Sequence, residues 1–253
     1  LFFYLYPMKN TEQIYGIRAV IEAIKSNEPI DKVFIQKGLK GDLSRDMETL
    51  IRKNGISSSY VPIEKLNRLT KSNHQGVVAN ISPITFLTVE ELVEKTLETK
   101  TTPLFLLLDQ LSDVRNFGAI IRTAECTGVD GIIIQKKGAA PVTADTIKTS
   151  AGAAFRVPIA KIDHIKDAVF YLQASGIKVI AATEKTENTI YEVSFKEPCA
   201  IIMGSEDVGI SPSILKAADH MAKLPLLGEI GSLNVSVACG VFLYEAVRQR
   251  QEL

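Results

Sequence analysis

Up to about residue 100 the apolar positions come in short mixed runs. From Pro103 onward they settle into apolar strands alternating with amphipathic helices. In the first part, Ile17, Val20, Ile21 and Ile24 share one face of a helix predicted over residues 13–27. A strand is predicted over Lys32–Gln36, then a polar helix from Leu43 to Asn54, ended by Gly55. A strand over Tyr60–Pro62, a helix over Ile63–Thr70 and a strand over Gly76–Ile81 follow. Residues 8–81 thus make an α/β unit of about 70 residues, small but able to fold. Residues 82–102 read as a linker carrying one polar helix, Val89 to Leu97.

After Pro103 six near-continuous apolar strands are predicted: Leu104–Asp109, Gly131–Gln135, Val157–Lys161, Lys178–Thr183, Cys199–Met203 and Met221–Leu226. Helices over Asn116–Thr127, Thr143–Ala151, Asp163–Ser175 and Ser211–Ala218 alternate with them. Strands apolar on both faces imply a parallel sheet covered on both sides, in one unit over 103–253. A last helix is expected to open at Ser232, whose hydroxyl suits an N-cap, and to close on Arg248 and Arg250. Its apolar residues, among them Leu233, Val237, Val241, Phe242, Leu243 and Tyr244, spread too widely for one buried stripe. Such a helix needs a second partner surface, which either the rest of its own domain or a second chain could supply.

Composition adds limits. Hydrophobic residues are 46% and charged ones 23% of 253, as in a globular protein with a proper core. The net charge is zero, but residues 8–81 hold 12 Lys+Arg against 8 Asp+Glu, a net of +4, and the remainder 17 against 21, a net of −4. A basic first part suits a polyanion partner. Cys126, Cys199 and Cys239 show no paired spacing and read as reduced, buried thiols of a cytoplasmic protein. His74, His164 and His220 are scattered, so no metal is expected. No apolar run approaches the roughly 20 residues that span a bilayer, so no membrane is expected. Leu1–Pro7 lacks the basic region and cleavage site of a signal peptide, and Met8 is the expected natural start.

Ligands of open α/β sheets gather beyond the C-terminal strand ends. Four polar clusters are expected there: Asp109–Gly118 with Arg122, Thr183-Glu184, Gly204–Gly209, and the Gly228–Asn234 loop leading into the last helix. Each alone is ordinary turn chemistry; four on one edge point to a site. The chain lacks a GxGxxG after a strand and a GxxxxGK phosphate loop. Gly204-Ser205-Glu206 lacks the downstream glycine of a nucleophile elbow, and His220 is poorly placed to serve it.

With these residues assembled, the chain resembles a known family. Asn116-x-Gly118-x-x-x-Arg122, Gly204-x-Glu206-x-x-Gly209, and Leu224-Pro225-Leu226 with Gly231–Ala238 look like the three ordered motifs of the SpoU (TrmH) RNA 2′-O-ribose methyltransferases. The opening Ile14-Tyr15-Gly16-Ile17 and its α/β unit resemble the L30e-like RNA-binding extension of the RlmB-type 23S rRNA enzymes. Leu226 stands where the family commonly has Met, a volume-conserving change.

The resemblance implies an α/β fold of the SPOUT type, in which the C-terminal segment threads a loop to make a trefoil knot. It implies S-adenosylmethionine as cofactor, with Gly204, Leu224, Leu226 and Leu233 around the adenosine and Thr183 and Met203 lining the pocket. It also implies a homodimer that pairs across the last helix and shares its sites. Ser232 and Asn234 would face the methionine end or the target ribose. The family's usual base is the equivalent of Arg122, yet a guanidinium is essentially never deprotonated in proteins. Arg122 is therefore expected to clamp a phosphate and stabilise developing alkoxide, and Asn116 to orient the hydroxyl. For Glu206 three roles stay open: holding Arg122, accepting the proton through water, or bonding backbone N–H groups structurally. The expected substrate is a guanosine of 23S rRNA. The alternatives are a tRNA or resistance-type rRNA methyltransferase, and a non-catalytic ribosome-assembly factor.

Overall fold

A computed structural model of the chain describes residues 13–251, so the start expected at Met8 lies outside the described residues. The chain forms two compact units, one running through Thr85 and taking in Val142–Ala144, the other made of the rest of the chain from Phe86 onward.

The first unit contains β1 (Gln13–Tyr15), α1 (Ile17–Lys25), β2 (Ile30–Gln36), α2 (Asp42–Lys53), β3 (Ser58–Val61), α3 (Ile63–Leu69) and β4 (Val77–Ile81). Its sheet runs β1-β4-β2-β3, parallel between β2 and β3 and antiparallel elsewhere. Strand alternation sorts the core. Val33, Ile35, Val77 and Ala79 meet Val20, Ile24, Met47 and Ile51 of α1 and α2, whereas Phe34 and Val78 turn to the other face, towards Leu66 of α3. The helix expected from residue 13 begins only at Ile17. Gln13–Tyr15 pair with β4 instead, and Gly16, at φ 89°, turns strand into helix through a conformation that residues with a Cβ avoid.

The second unit opens with α4 (Val89–Leu97) and continues with β5 (Leu104–Leu108), α5 (Val114–Cys126), β6 (Gly131–Gln135), α6 (Ala144–Thr149) and β7 (Ile159–Ile162). Then come α7 (Ile165–Ala174), β8 (Lys178–Ala182), β9 (Cys199–Met203), α8 (Pro212–Leu215), β10 (His220–Ala222) and α9 (Val235–Gln251). Single 3-10 turns stand at Ala153–Phe155 and Ile190–Glu192. The six strands are all parallel, in the order β10-β8-β9-β5-β6-β7. Every residue of the central β5 and β9 is buried, which is why those strands are continuous apolar runs.

Several expectations change. The helix expected within residues 82–102 forms with the expected bounds as α4, but its Val89, Leu92 and Val93 belong to the core of the second unit. Thr88 and Glu91 form a reciprocal capping box at its start. Leu92 fills the space where a Cβ on Gly131 would stand, about 2.6 Å from its Cδ1. Truncating Leu92 to Ala should cost about 2–5 kcal/mol. The helix expected over Ser211–Ala218 shrinks to Pro212–Leu215, and the strand over Met221–Leu226 to His220–Ala222. Cys199 and Cys239 are buried as expected, but Cys126 is exposed, one helical turn beyond Arg122 on the outer side of α5. Burial pushes the Cys239 thiol up to about 12, so it is an inert core residue.

Candidate active site

The strand order reverses between β5 and β9: β6 and β7 extend the sheet from β5, while β8 and β10 lie beyond β9. That switch point opens a crevice at the C-terminal strand ends. There a cleft of about 630 Å³ is lined by Thr183, Met203, Gly204, Glu206, Leu224, Leu226, Ser232, Leu233 and Asn234, all expected site residues. Glu184, Asp207 and Lys223 add charge, and Ala182, Ala222, Ala238 and Phe242 add apolar wall. Two grooves of similar volume, about 600 Å³ between α1 and α2 and about 550 Å³ beside Tyr191 and Gln249, gather no strand ends.

One wall is the Gly204–Gly209 loop. A Cβ on Gly204 would stand 2.2 Å from the carbonyl carbon of Gly209, so only glycine lets the loop fold back on itself. Gly209 N–H donates to the Ser205 carbonyl at 2.9 Å and takes φ 71°. The loop is anchored from below by Asp109, fully buried at the end of β5. Its Oδ2 accepts from the Ser211 N–H at 2.8 Å and from the Ser211 hydroxyl at 2.7 Å. This tie between the first cluster and Ser211, two residues past the third, was not foreseen, since 102 residues separate its partners.

The other wall is the start of α9, where Asn234, not Ser232, is the cap. Asn234 Oδ1 accepts from the Ser236 N–H at 3.0 Å and the Ser236 hydroxyl at 2.5 Å. A cap of this kind stabilises by about 1 kcal/mol. The Asn234 amide meanwhile donates to Asn116 Oδ1 at 3.0 Å and to Glu206 Oε1 at 2.6 Å. Glu206 Oε1 also accepts from the Val235 N–H at 3.3 Å, which places a carboxylate at the positive end of α9. Asn234 therefore joins one residue from each motif. Asp113 fixes the N-terminus of α5 by accepting from the Asn116 N–H at 2.7 Å, which holds Asn116 in place for this contact.

Arg122 is apart from this network. It is exposed on α5 and has no hydrogen bond or ion pair among the described residues. The role of holding Arg122, open for Glu206, is not realised within the chain. Glu206 bonds Asn234 and the backbone of α9 instead. Its Oε2 has no partner among the described residues.

The cleft fits the cofactor that the resemblance implied. Its volume lies within the roughly 300–1,000 Å³ of small-molecule sites. Its apolar walls suit an adenine, and the carboxylates of Glu184, Glu206 and Asp207 outnumber Lys223, which suits a ligand bearing a sulfonium cation. No group of His, Cys, Asp and Glu among the described residues could hold a metal. No helix among them is long and apolar enough to cross a membrane.

Fold and cleft define an α/β protein with a nucleoside-sized site at the switch point of a parallel sheet. Two family models match the chain: the SpoU rRNA Methylase family over residues 103–244, and RNA 2′-O ribose methyltransferase substrate binding over residues 13–87. The chain belongs to the SpoU family of RNA methyltransferases. It is 33% identical over 240 residues to the putative TrmH family tRNA/rRNA methyltransferase YacO of Bacillus subtilis, covering 94% of this chain and 96% of that one. It is 34% identical over 249 residues to the 23S rRNA (guanosine-2′-O-)-methyltransferase RlmB of Pseudomonas putida, covering 96% and 99%. Among solved structures it resembles an AdoMet-bound rRNA methyltransferase from Sinorhizobium meliloti, with TM-score 0.60 and 24% identity over 93% of this chain and 86% of that one. It also resembles the TrmH/SpoU tRNA modifying enzyme of A. aeolicus, with TM-score 0.55 and 30% identity over 65% and 83%. The first likeness supports the SPOUT-type fold alone.

Proposed function

We propose that the chain transfers the methyl group of S-adenosylmethionine to the 2′-hydroxyl of a guanosine in 23S rRNA. The observation that carries the reading is the Asn116–Asn234–Glu206 junction at the mouth of the cleft, which joins the three motifs at one point. The RNA class is supported by the substrate-binding model matched at residues 13–87. A tRNA substrate is the second reading, because YacO is named for both RNAs. Against it stands the tRNA modifying enzyme of A. aeolicus, which matches only 65% of this chain. Residues 8–81 then serve RNA binding, in the cytoplasm, and the chain from residue 103 serves catalysis.

Thr183, Met203, Gly204, Leu224, Leu226 and Leu233 line the cleft and would hold the cofactor, which would supply an electrophilic methyl group. The protein's own task is to align the ribose oxygen and remove its proton. Asn116 spends its Oδ1 on Asn234, so its amide N–H remains to orient the hydroxyl oxygen. Glu206 spends Oε1 on Asn234 and Val235, and Oε2 is left to accept the proton through water. Ser232, exposed on the cleft wall, faces the same opening. Arg122 holds a neighbouring phosphate and stabilises charge growing on the oxygen.

Two further parts of the reading concern assembly. The C-terminal segment threads a preceding loop as a knot, which the return of the chain from the edge strand β10 to α9 beside β9 supports. Two chains pair across α9, whose Val237, Val241 and Tyr244 are 53%, 40% and 57% exposed. Calorimetry with S-adenosylmethionine and ribose-methylation mapping of 23S rRNA from a deletion strain test the function. Binding without added metal and one unmethylated guanosine are expected. A folded protein that binds no cofactor would end the enzyme reading, and methylation lost from a tRNA instead would move the substrate.

A further inference from the structure

The outer face of α5 carries more than Arg122. Arg115, Gly118, Arg122 and Glu125 follow at i, i+3, i+7 and i+10 and form one stripe along the helix, in which Arg115 and Arg122 are exposed, Glu125 is half-buried and Gly118 is buried. A single segment, Thr149–Arg156, runs beside that stripe and touches it at both ends. At one end a Cβ on Gly118 would stand 1.8 Å from Thr149 Oγ1 and 3.2 Å from the Ser150 nitrogen, so backbone and helix meet there directly. At the other end Arg156 Nη1 lies 3.7 Å from Glu125 Oε1. Arg122 sits between these two anchors. Next to the second anchor is Phe155, a large ring left 52% exposed by a turn whose neighbours Ala153 and Ala154 are buried. Arg115 and Arg122 are exposed cations with no partner among the described residues, and the acid of the stripe, Glu125, is engaged by Arg156.

We propose that the exposed ring of Phe155 is the platform on which an unpaired base of the RNA substrate stacks, beside the arginines that take its phosphates. The inference rests on the RNA methyltransferase reading and names where that substrate lies. Free cations flanking an exposed aromatic suit a single-stranded nucleic acid, whose bases stack on rings while its backbone needs positive charge. They suit a second copy of this chain poorly, because the apolar surface for that lies on α9. A base held here would bring its own ribose to the side of the site where Arg122 stands.

The test uses the full chain and unmethylated 23S rRNA from a deletion strain. Phe155→Ala should raise the KM for this RNA about ten- to a hundredfold, the range one stacked base carries, and leave the affinity for S-adenosylmethionine unchanged. Phe155→Trp should keep the KM near that of the wild type. Because the chain has no tryptophan, that variant also reports directly. Its emission should fall when a single-stranded ribo-oligonucleotide is added. An unchanged KM in Phe155→Ala, or unchanged Trp emission at saturating RNA, overturns the proposal. So does a Phe155→Ala protein that sediments as a monomer where the wild type is a dimer, since the ring would then belong to a chain–chain contact. Wild-type protein that methylates no RNA defeats the underlying reading instead, and the emission change still decides whether RNA stacks here.

Discussion

α5 and α9 each have an inward and an outward face, and the two faces are built on different terms. Inward, Phe117, Ile120, Ile121 and Ala124 of α5 and Cys239, Phe242, Leu243 and Ala246 of α9 are almost wholly buried. The polar ends are tied just as closely. Asn234 joins Asn116 and Glu206 at the start of α9, and Arg250 at its end donates to the carbonyls of Thr102, Pro103, Phe195 and Glu197. Outward, α5 presents Arg115 and Arg122 without partners among the described residues, and α9 presents Val237, Val241 and Tyr244. The inward face fixes the cofactor cleft within one chain. These outward side chains have no such ties among the described residues; on the readings proposed above, RNA meets them at α5 and a second chain at α9.

The comparison breaks most visibly at Arg122. Arg122→Ala should lower methyl transfer about a hundred- to a thousandfold, the effect of removing one group that meets developing charge. Cofactor affinity should stay within about twofold, because Arg122 does not line the cleft. Arg122→Lys should recover little, since an ammonium lacks the guanidinium's fork. Single-turnover transfer and calorimetry on both variants check this. A parallel loss of cofactor binding would show that Arg122 belongs to the inward group after all.

The outward face of α9 comes next. Tyr244→Asp places a charge in an apolar patch and should weaken chain–chain association about a hundredfold or more. Monomer fold, read by circular dichroism, should be unchanged because Tyr244 is 57% exposed. Sedimentation over a concentration series measures the first effect. A wild type that is monomeric and fully active at micromolar concentration would remove the dimer from the argument.

How far the sequence reached follows the same division. β5 and β9 were legible because both of their faces are buried, so their residues form unbroken apolar runs. The edge that carries the cleft was legible because polar clusters recur after strands, whereas its apolar lining residues, Met203, Leu224, Leu226 and Leu233, came only from the resemblance to the SpoU motifs. What stayed hidden depended on distant partners. Gln13–Tyr15 continue an apolar pattern that reads as helix, and only pairing with Asn80–Val78 makes them a strand. The helix α4 was legible, but its burial was not, because its acids are as regular as its apolar stripe and the niche over Gly131 that takes Leu92 lies in another element. Ser232 and Asn234 are both good caps. Glu206, 28 residues from Asn234, favours the latter by accepting from its amide and from the Val235 N–H.

Asn234→Asp sharpens that last point. The new carboxylate could still cap α9, so the helix should remain. It could not donate to Asn116 or Glu206, and it would set a second negative charge beside Glu206. Asn234 and Glu206 are solvent-exposed and Asn116 is half-buried, so the cost should be about 1–2 kcal/mol, with methyl transfer falling more than stability. Asn234→Ser, which caps without the like charge, should be less destabilised. Urea unfolding of the two variants checks the order, and equal stabilities would mean that the junction contributes only the cap.

The smallest effect is expected at the far end of α9, where Glu245 is 7% exposed and accepts from Arg248 at 2.8 Å through both oxygens. Those hydrogen bonds are the main reason its carboxyl titrates below the ordinary glutamate range; burial opposes them, and a bond from Gln249 adds to them. The sign follows from linkage. A carboxyl whose pKa is lower folded than unfolded contributes stability that is fully present above the unfolded value and is lost as pH falls through the folded one. Glu245→Gln removes this contribution, so the wild type should melt at a higher temperature near neutral pH. The gap should close as the pH drops below the ordinary carboxylate range. Arg248 is 55% exposed, so added salt should narrow the gap as well. Melting both proteins across that pH range at low and high salt decides the matter. A gap that stays constant with pH would mean that Glu245 acts through packing and not through its charge, and the inward face of α9 would then be held by shape alone at that turn.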